Sequence, residues 1–422
     1  MRVLILADSC NPEWPSLPVV GFKLCRALGE HVEAVVVTQV RNRPALEKSG
    51  LGRCSIHYID NEYLGAPLYK LTKAVRGGDS VGWTTNIAMS YPTYLNFEWE
   101  ARRAFRGELE AGGFDLVHRV TPMSPTLPSP MARWSPVPFV IGPLNGGLKW
   151  PREFYSELKR EREWLTFARG AYRRLPYHRA TFERSAAILA AFEHTLDDLP
   201  AECRDRVFNV PEVGIDPELF SAPPARPRRE RLTFLFVGRL VPYKCPDVAL
   251  GAFMHSAALR RHRLRIVGEG PERPRLEALV GEHGLRDCVE FAGRRTQAEV
   301  GEEMRAADVF VFPSIRELGA GVVVEAMACG LPCVVVDYGA PGMLVDETRG
   351  VRLPLGSKDE LTRSCARALE ELAAHPERLP ALGAAGSRHV LSRYTWDAKA
   401  RGVVQVYEWV LKRRAARPTI PV

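Results

Sequence analysis

The sequence contains no apolar run approaching the ~18 residues that a membrane-spanning helix needs. Its opening, RVLILAD, is too short and too quickly polar for a secretory signal, so we expect a cytoplasmic protein. The nine cysteines include no CxxC pair and no His/Cys run of zinc spacing. These absences predict reduced, buried thiols and no metal site.

Two further absences concern ligands. No GxGxxG sequence is present, so we expect no dinucleotide cofactor. The net charge of +8 arises from 58 Lys and Arg against 50 Asp and Glu, with no basic block interleaved with aromatic residues. This distribution favours a weak preference for anions and predicts no nucleic-acid partner.

The length and composition predict two domains. The chain has 422 residues, of which 46% are hydrophobic and 9% aromatic. Single cores rarely grow beyond about 250–300 residues, so a chain of this size is expected to divide.

Short apolar runs alternate with helical stretches in two series, which predicts parallel α/β sheets. The first series extends from residues 2–8 to 186–191, and the second from 232–238 to 351–354. The runs are continuous rather than alternating, as expected for strands covered by helices on both faces.

The segment 221–230, SAPPARPRRE, combines three prolines with charge and is typical of an interdomain linker. We therefore predict an N-terminal Rossmann-like domain over residues 1–222 and a C-terminal one over 223–395. Residues 396–422 contain an amphipathic helix, and packing back on the N-terminal domain is one placement open to it.

Two carboxylates, Glu317 and Glu325, lie in the stretch RELGAGVVVEAMACGLP with seven residues between them. Glu317 follows the predicted strand 309–313, at the carboxyl edge where open α/β sheets bind ligands. The small residues of the turn let backbone N–H groups and a helix N-terminus approach a phosphate. They are Gly319, Ala320 and Gly321. Ionised carboxylates accept hydrogen bonds, which suits hydroxyl-rich ligands.

The stretch VGRLVPYKCPD, residues 237–247, repeats this arrangement after the first strand of the second series. Gly238 frees the turn, and Arg239 and Lys244 bring two cations to the end of the strand. Two positive charges five residues apart fit a diphosphate. The alternative is that both are merely solvated surface cations.

These two stretches together resemble the retaining glycosyltransferases of family 4. The resemblance covers most of residues 206–410 and includes VPEVGID, VGEGPER and VEFAGR in the family's usual order. It implies the GT-B fold, in which two Rossmann-like domains face each other across a cleft.

The resemblance implies roles for individual residues. Glu317 would bind hydroxyls of the donor sugar, and Glu325 would hold the ribose of the nucleotide. Arg239 and Lys244 would neutralise the departing diphosphate. The other implied donor-binding residues are Gly238, Gly319, Ala320, Gly321 and Arg294. Cys245 stands where glycine usually follows the lysine.

The N-terminal domain is then expected to bind the acceptor. His118 ends the predicted strand 114–120, where the family often has a histidine near the donor sugar; a structural role is the alternative. Asn145, Gly146 and Gly147 resemble a Gly-Gly segment that lines the cleft in some members, and a plain turn is the alternative.

Residues 152–179 contain eight Arg and Lys against four Glu, with aromatic residues interspersed. Some family members reach lipid acceptors through basic amphipathic segments at a membrane surface. A solvated helix with paired charges is the interpretation we favour over membrane association.

The function implied is the metal-independent, retaining transfer of a hexosyl group from a UDP- or GDP-linked sugar to an acceptor hydroxyl. The acceptor is a small molecule, a saccharide or a lipid, and no cofactor is needed. A sugar-nucleotide epimerase of the same architecture and a catalytically silent nucleotide-sugar binder are the alternatives. The Arg- and Ala-rich composition suggests a bacterial source.

Overall fold

The computed structural model describes residues 1–64, 83–155, 171–224 and 229–420. The chain forms two compact units. The first unit contains residues 1–147, 161–212 and 396–422, and the second contains residues 148–160 and 213–395. The second unit is therefore inserted into the sequence of the first.

The first unit is built on a parallel sheet of seven strands in the order β3-β2-β1-β4-β5-β6-β7. Its strands are β1 (Arg2–Ala7), β2 (Glu33–Gln39), β3 (Ser55–Ile59), β4 (Leu116–Thr121), β5 (Phe139–Leu144), β6 (Ser185–Ala190) and β7 (Val207–Asn209). Its helices are α1 (Leu17–Gly29), α2 (Arg43–Ser49), α3 (Trp83–Glu110), α4 (Met131–Trp134), α5 (His178–Arg184) and α6 (Glu193–Leu196).

Both faces of this sheet are buried, which explains the continuous apolar runs. Along β1, Val3 and Ile5 belong to one core cluster, whereas Leu4 and Leu6 belong to another. Successive side chains of a strand point to opposite faces, so a strand between two cores must be apolar at every position.

The first core is completed by the C-terminal helix, which lies in the first unit. Ala400, Val403 and Tyr407 recur at helical spacing on one face and join the cluster that contains Leu24 and Leu28 of α1. At about 25 cal/mol per Å² of apolar surface removed from water, this buried stripe contributes substantially to the unit's stability.

The second unit contains a parallel sheet of six strands in the order β10-β9-β8-β11-β12-β13. Its strands are β8 (Thr233–Val237), β9 (Arg263–Val267), β10 (Val289–Gly293), β11 (Val309–Phe312), β12 (Cys333–Val336) and β13 (Gly350–Leu353). Its helices are α7 (Pro246–His255), α8 (Arg273–Glu282), α9 (Gln297–Ala306), α10 (Gly321–Ala328), α11 (Gly339–Leu344), α12 (Lys358–Ala374) and α13 (Leu379–Arg393). The final helix of the chain is α14 (Trp396–Val410).

Aromatic packing fixes the two central strands of this sheet. The rings of Phe236 on β8 and Phe312 on β11 lie 5.9 Å apart, and Phe310 stacks 5.7 Å from Phe312. All three are fully buried. Strands β8 and β11 are also hydrogen-bonded neighbours. Their carboxyl ends therefore lie side by side.

The predicted α/β architecture, with two Rossmann-like parallel sheets, is confirmed. Strand β7 was not predicted, since its three residues are too few for a periodic pattern. The chain crosses between units after Glu212, earlier than the predicted boundary at 222/223. Residues 225–228 of the predicted linker and residues 156–170 of the basic segment lie outside the described part of the chain.

Candidate functional site

Lys244 and Glu317 form a salt bridge at the carboxyl edge of the second sheet. Lys244 ends a short 3₁₀ turn after β8, and Glu317 lies between β11 and α10. Lys244 Nζ is 2.6 Å from Glu317 Oε1, and the two side chains are only 14% and 15% exposed. From the sequence, we expect these residues to contact different parts of one ligand; their pairing was not predicted.

The surroundings keep Lys244 protonated. Burial lowers the pKa of Lys244, but the carboxylate of Glu317 and the neighbouring Tyr243 outweigh this effect, so the pKa is raised from 10.5. The ammonium also lies 4.9 Å from the centre of the Phe312 ring, a favourable cation–π geometry. Ser314 Oγ donates to Glu317 Oε1 at 3.0 Å, which fixes the carboxylate.

Left-handed residues precede both helices at this edge. Cys245 has φ 47° immediately before α7, and Ala320 has φ 51° immediately before α10. A left-handed conformation costs a non-glycine residue roughly 1–2 kcal/mol, and such strain clusters at functional sites. Each left-handed residue directly precedes a helix N-terminus, where the first backbone N–H groups have no partner within the helix.

The other predicted donor-side residues lie at or near the same edge. Gly238 leaves room for the lysine, since a Cβ there would lie 3.2 Å from Lys244 Cδ. Arg239 is exposed directly after β8, and Glu325 is half-buried in α10. Arg294 is exposed after the edge strand β10, two strands away from β8.

The small residues of the turn before α10 differ in their exposure to solvent. Gly319 and Ala320 are buried, whereas Gly321 is half-buried and begins α10. The prediction that their backbone amides meet a phosphate therefore depends chiefly on Gly321, at the helix N-terminus.

Trp150 packs against both loops of the salt bridge, and sequence reasoning missed it. Its ring lies 6.4 Å from that of Tyr243 at 85°, and the Arg316 guanidinium lies 5.1 Å from its centre. Tyr243 and Arg316 directly precede Lys244 and Glu317. Trp150 is 6% exposed, and from this buried position it contacts both the loop that carries Lys244 and the loop that carries Glu317.

His118 does not have the position expected of a ligand contact. The side chain is fully buried; its Nδ1 is 2.5 Å from the Tyr407 hydroxyl and its Nε2 is 2.7 Å from the Gly142 carbonyl oxygen. Burial lowers its pKa from 6.5 to about 4. With both nitrogens engaged inside the first unit, His118 is a structural residue, and we remove it from the candidate catalytic set.

The predicted acceptor-side residues occur in a tightly packed loop of the first unit. The Asn145 side-chain amide donates to Glu212. A Cβ at Gly146 would lie 2.8 Å from Pro125, and one at Gly147, where φ is 80°, would lie 2.0 Å from the His194 carbonyl oxygen. Both glycines are thus required by packing, and their contact with an acceptor stays a prediction.

Two buried titratable residues, Glu212 and Lys399, carried no recognisable sequence pattern. Glu212 is 5% exposed, and burial raises its pKa. Lys399 on α14 is 4% exposed and donates to the Pro211 carbonyl oxygen; burial lowers its pKa from 10.5 to about 7. Neither residue belongs to a motif, and the hydrogen bond of Lys399 joins positions 188 residues apart.

The described residues contain no cluster of three or more His, Cys, Asp or Glu side chains that could hold a metal ion. Among the helices described, none is both long and apolar enough to cross a membrane.

The chain is similar to known proteins in sequence and in fold. Residues 221–381 match the family model described as glycosyl transferases group 1. The chain is 35% identical over 226 residues to a D-inositol 3-phosphate glycosyltransferase of Thermobispora bispora, covering 50% of this chain and 51% of that protein. It is 34% identical over 262 residues to the protein of that name from Kineococcus radiotolerans, covering 56% and 59%.

The chain thus spans about half the length of these curated relatives. Among solved structures, the Anabaena protein HepE in complex with UDP and glucose aligns over 97% of this chain and 100% of its own, with a TM-score of 0.61 and 15% identity. This likeness extends over both units and places the chain in the GT-B fold class.

Proposed function

We propose that this protein, whose residues 221–381 match the family model of the glycosyl transferases group 1, transfers a hexosyl group from a UDP- or GDP-linked sugar to an acceptor hydroxyl. The observation that carries the proposal is the buried salt bridge between Lys244 and Glu317, 2.6 Å long, at the shared edge of β8 and β11. It combines a permanent cation with a carboxylate that accepts hydrogen bonds.

Lys244 serves the departing diphosphate. Breaking the bond between a sugar and a diphosphate develops negative charge on the leaving oxygen, and a preorganised cation stabilises that charge in the transition state. An ammonium has three donors, so Lys244 can keep Glu317 and still donate to a phosphate oxygen. Arg239, exposed at the same edge, supplies the second charge.

Glu317 serves the sugar. Its Oε1 accepts from Lys244 and Ser314, and its carboxylate has further lone pairs for sugar hydroxyls. A negative charge near the reacting carbon also stabilises the positive character that a glycosyl transition state develops. Glu325, one helical turn into α10, is our candidate for the ribose hydroxyls.

We propose that the reaction retains the anomeric configuration. The acceptor hydroxyl attacks the anomeric carbon on the face that the diphosphate leaves, and a phosphate oxygen of the leaving group takes the acceptor's proton. The products are the glycoside and the nucleoside diphosphate. Positive charge comes from Arg239 and Lys244, so we expect activity in the presence of a chelator.

The test is direct transfer. The purified protein is incubated with UDP- and GDP-hexoses and, because the relatives are named for it, with D-inositol 3-phosphate as the first acceptor, in the presence of EDTA. We expect a glycoside with the donor's anomeric configuration by NMR, formed about 10²–10³-fold more slowly by Lys244→Ala.

Four results would contradict parts of the proposal. An inverted product removes the mechanism, and inactivity restored by a divalent metal removes metal independence. Conversion of the donor without any acceptor favours the epimerase. Tight donor binding without transfer to any acceptor or to water, across a broad acceptor panel, favours the silent binder.

A further inference from the structure

A cavity of about 510 Å³ in the second unit lies between the last two turns of α13 and the loop before β13. This volume falls within the range of small-molecule pockets. It is lined by Asp346, Thr348, Arg349, Ala385, Arg388, His389, Ser392 and Arg393. We call Arg349, Arg388, His389 and Arg393 the arginine pocket.

Helical spacing builds one wall of the pocket. Ala385, Arg388, His389 and Ser392 are separated by three, one and three positions, so they share one face of α13. The small side chain of Ala385 leaves the space that the longer ones surround.

The arginine pocket is separate from the candidate active site. It adjoins the residues that precede β13, and therefore the amino edge of that strand. Lys244 and Glu317 follow β8 and β11, at the carboxyl edge of the same parallel sheet. A ligand in the arginine pocket would thus meet none of the predicted donor-binding residues.

The balance of charge in the cavity is positive. Asp346 is the only acid of the lining, and Arg349 already binds it, with Nε 3.0 Å from Oδ1 and Nη2 on Oδ2. Arg388 is exposed, and within the described residues neither it nor Arg393 has a carboxylate partner. Two guanidinium charges therefore remain uncompensated around one concavity.

His389 adds a hydrogen-bond donor to the pocket and not a third positive charge. Arg393 Nη1 contacts His389 Nδ1, and because a guanidinium can only donate, Nδ1 must accept. The proton of the neutral ring is then on Nε2. Burial and the charges of Arg349 and Arg393 lower the pKa of His389 to about 4, which agrees with a neutral ring.

We propose that the arginine pocket binds the phosphate group of a phosphorylated ligand. Guanidinium groups match phosphate oxygens with paired, charge-assisted hydrogen bonds, and the fork of Arg is better suited to this than an ammonium. The chemistry is shared by soluble phosphate esters and by the headgroup of phosphatidic acid. The proposal does not depend on the transferase activity.

The experiment compares two double variants of equal charge. Arg388→Gln/Arg393→Gln removes both uncompensated guanidiniums, whereas Arg363→Gln/Arg367→Gln removes two arginines of α12 that do not line the cavity. All are made in a Lys244→Met/Glu317→Gln background, which disables the candidate active site. Inorganic phosphate is titrated by calorimetry against chloride of equal ionic strength.

We expect the background protein and the α12 control to bind phosphate, and the pocket variant to bind it at least about tenfold more weakly, since charged hydrogen bonds are lost. Equal affinity in all three proteins, or no binding beyond chloride, overturns the proposal. If circular dichroism shows that the pocket variant is unfolded, Arg388→Gln alone gives the comparison, because that side chain is exposed.

A second arm identifies the source of the phosphate. Phosphatidylcholine vesicles with and without phosphatidic acid are sedimented with the background protein and the pocket variant. If the background protein sediments only with phosphatidic acid, and the pocket variant does not sediment, the result supports the proposal and identifies the ligand as a lipid headgroup. Phosphate binding without sedimentation supports the pocket and assigns it to a soluble ester.

Discussion

Replacing Lys244 by methionine tests the salt bridge as both a catalytic and a structural element. The substitution removes the cation 2.6 Å from Glu317 and leaves that carboxylate only 15% exposed without its partner. Loss of one charge-stabilising donor costs about 10²–10³-fold in turnover, or ~2.7–4 kcal/mol of transition-state stabilisation. Breaking a buried ion pair costs about 3 kcal/mol of unfolding free energy, at the lower end of the known range because some solvent access remains.

The double variant Lys244→Met/Glu317→Gln separates these two effects. It removes both charges, so no unpaired ion is left buried, and we expect most of the lost unfolding free energy to return. Turnover should stay low, because the cation needed by the leaving diphosphate is still absent.

The assays are urea unfolding and steady-state release of the nucleoside diphosphate, measured on the same preparations. Wild-type turnover by Lys244→Met would refute the catalytic role. Recovery of turnover in the double variant would show that the unpaired carboxylate, rather than the missing cation, caused the loss.

Three further predictions concern single side chains. Glu325→Ala should weaken donor binding with little change in the turnover of bound donor; unchanged affinity by calorimetry removes it from the ribose site. Trp150→Ala should lower kcat about tenfold or more while Trp150→Phe keeps most of it, since displaced catalytic groups lose rate steeply; a loss of stability alone, with normal kcat, would show only a packing role. As the pH falls from 6.5 to about 4, His118→Gln should lose less unfolding free energy than wild type. The wild-type ring is neutral in the folded protein and takes up a proton on unfolding, so acid destabilises only the wild type through this group. Parallel profiles of unfolding free energy against pH would contradict this.

The architecture could be predicted because its causes are local. Strand β11 is apolar at every position and β1 at every position after Arg2, and glycine and proline end the helix that begins at Gly321. The parallel arrangement then brings the residues after β8 and β11 to one edge without any further information. That is why the sequence could predict that Lys244 and Glu317 lie at the same edge of the sheet.

The errors and omissions concern contacts between distant parts of the chain. His118 looked like a strand-end ligand contact, and only its hydrogen bond to Tyr407, 289 positions later, shows that it is structural. Trp150 lies in a loop without periodicity, so nothing in its neighbours indicates that Tyr243 and Arg316 pack on it. The same holds for Glu212 and Lys399.

The insertion of one unit within the other has a consequence for biosynthesis. Residues 213–395 leave the ribosome before α14, so most of the second unit can fold while the first still lacks the helix that covers its core. A chain truncated near residue 395 would leave Leu24, Leu28 and their neighbours uncovered in the unit that was made first. Loss of the C-terminal helix therefore destabilises the unit that contains the amino terminus.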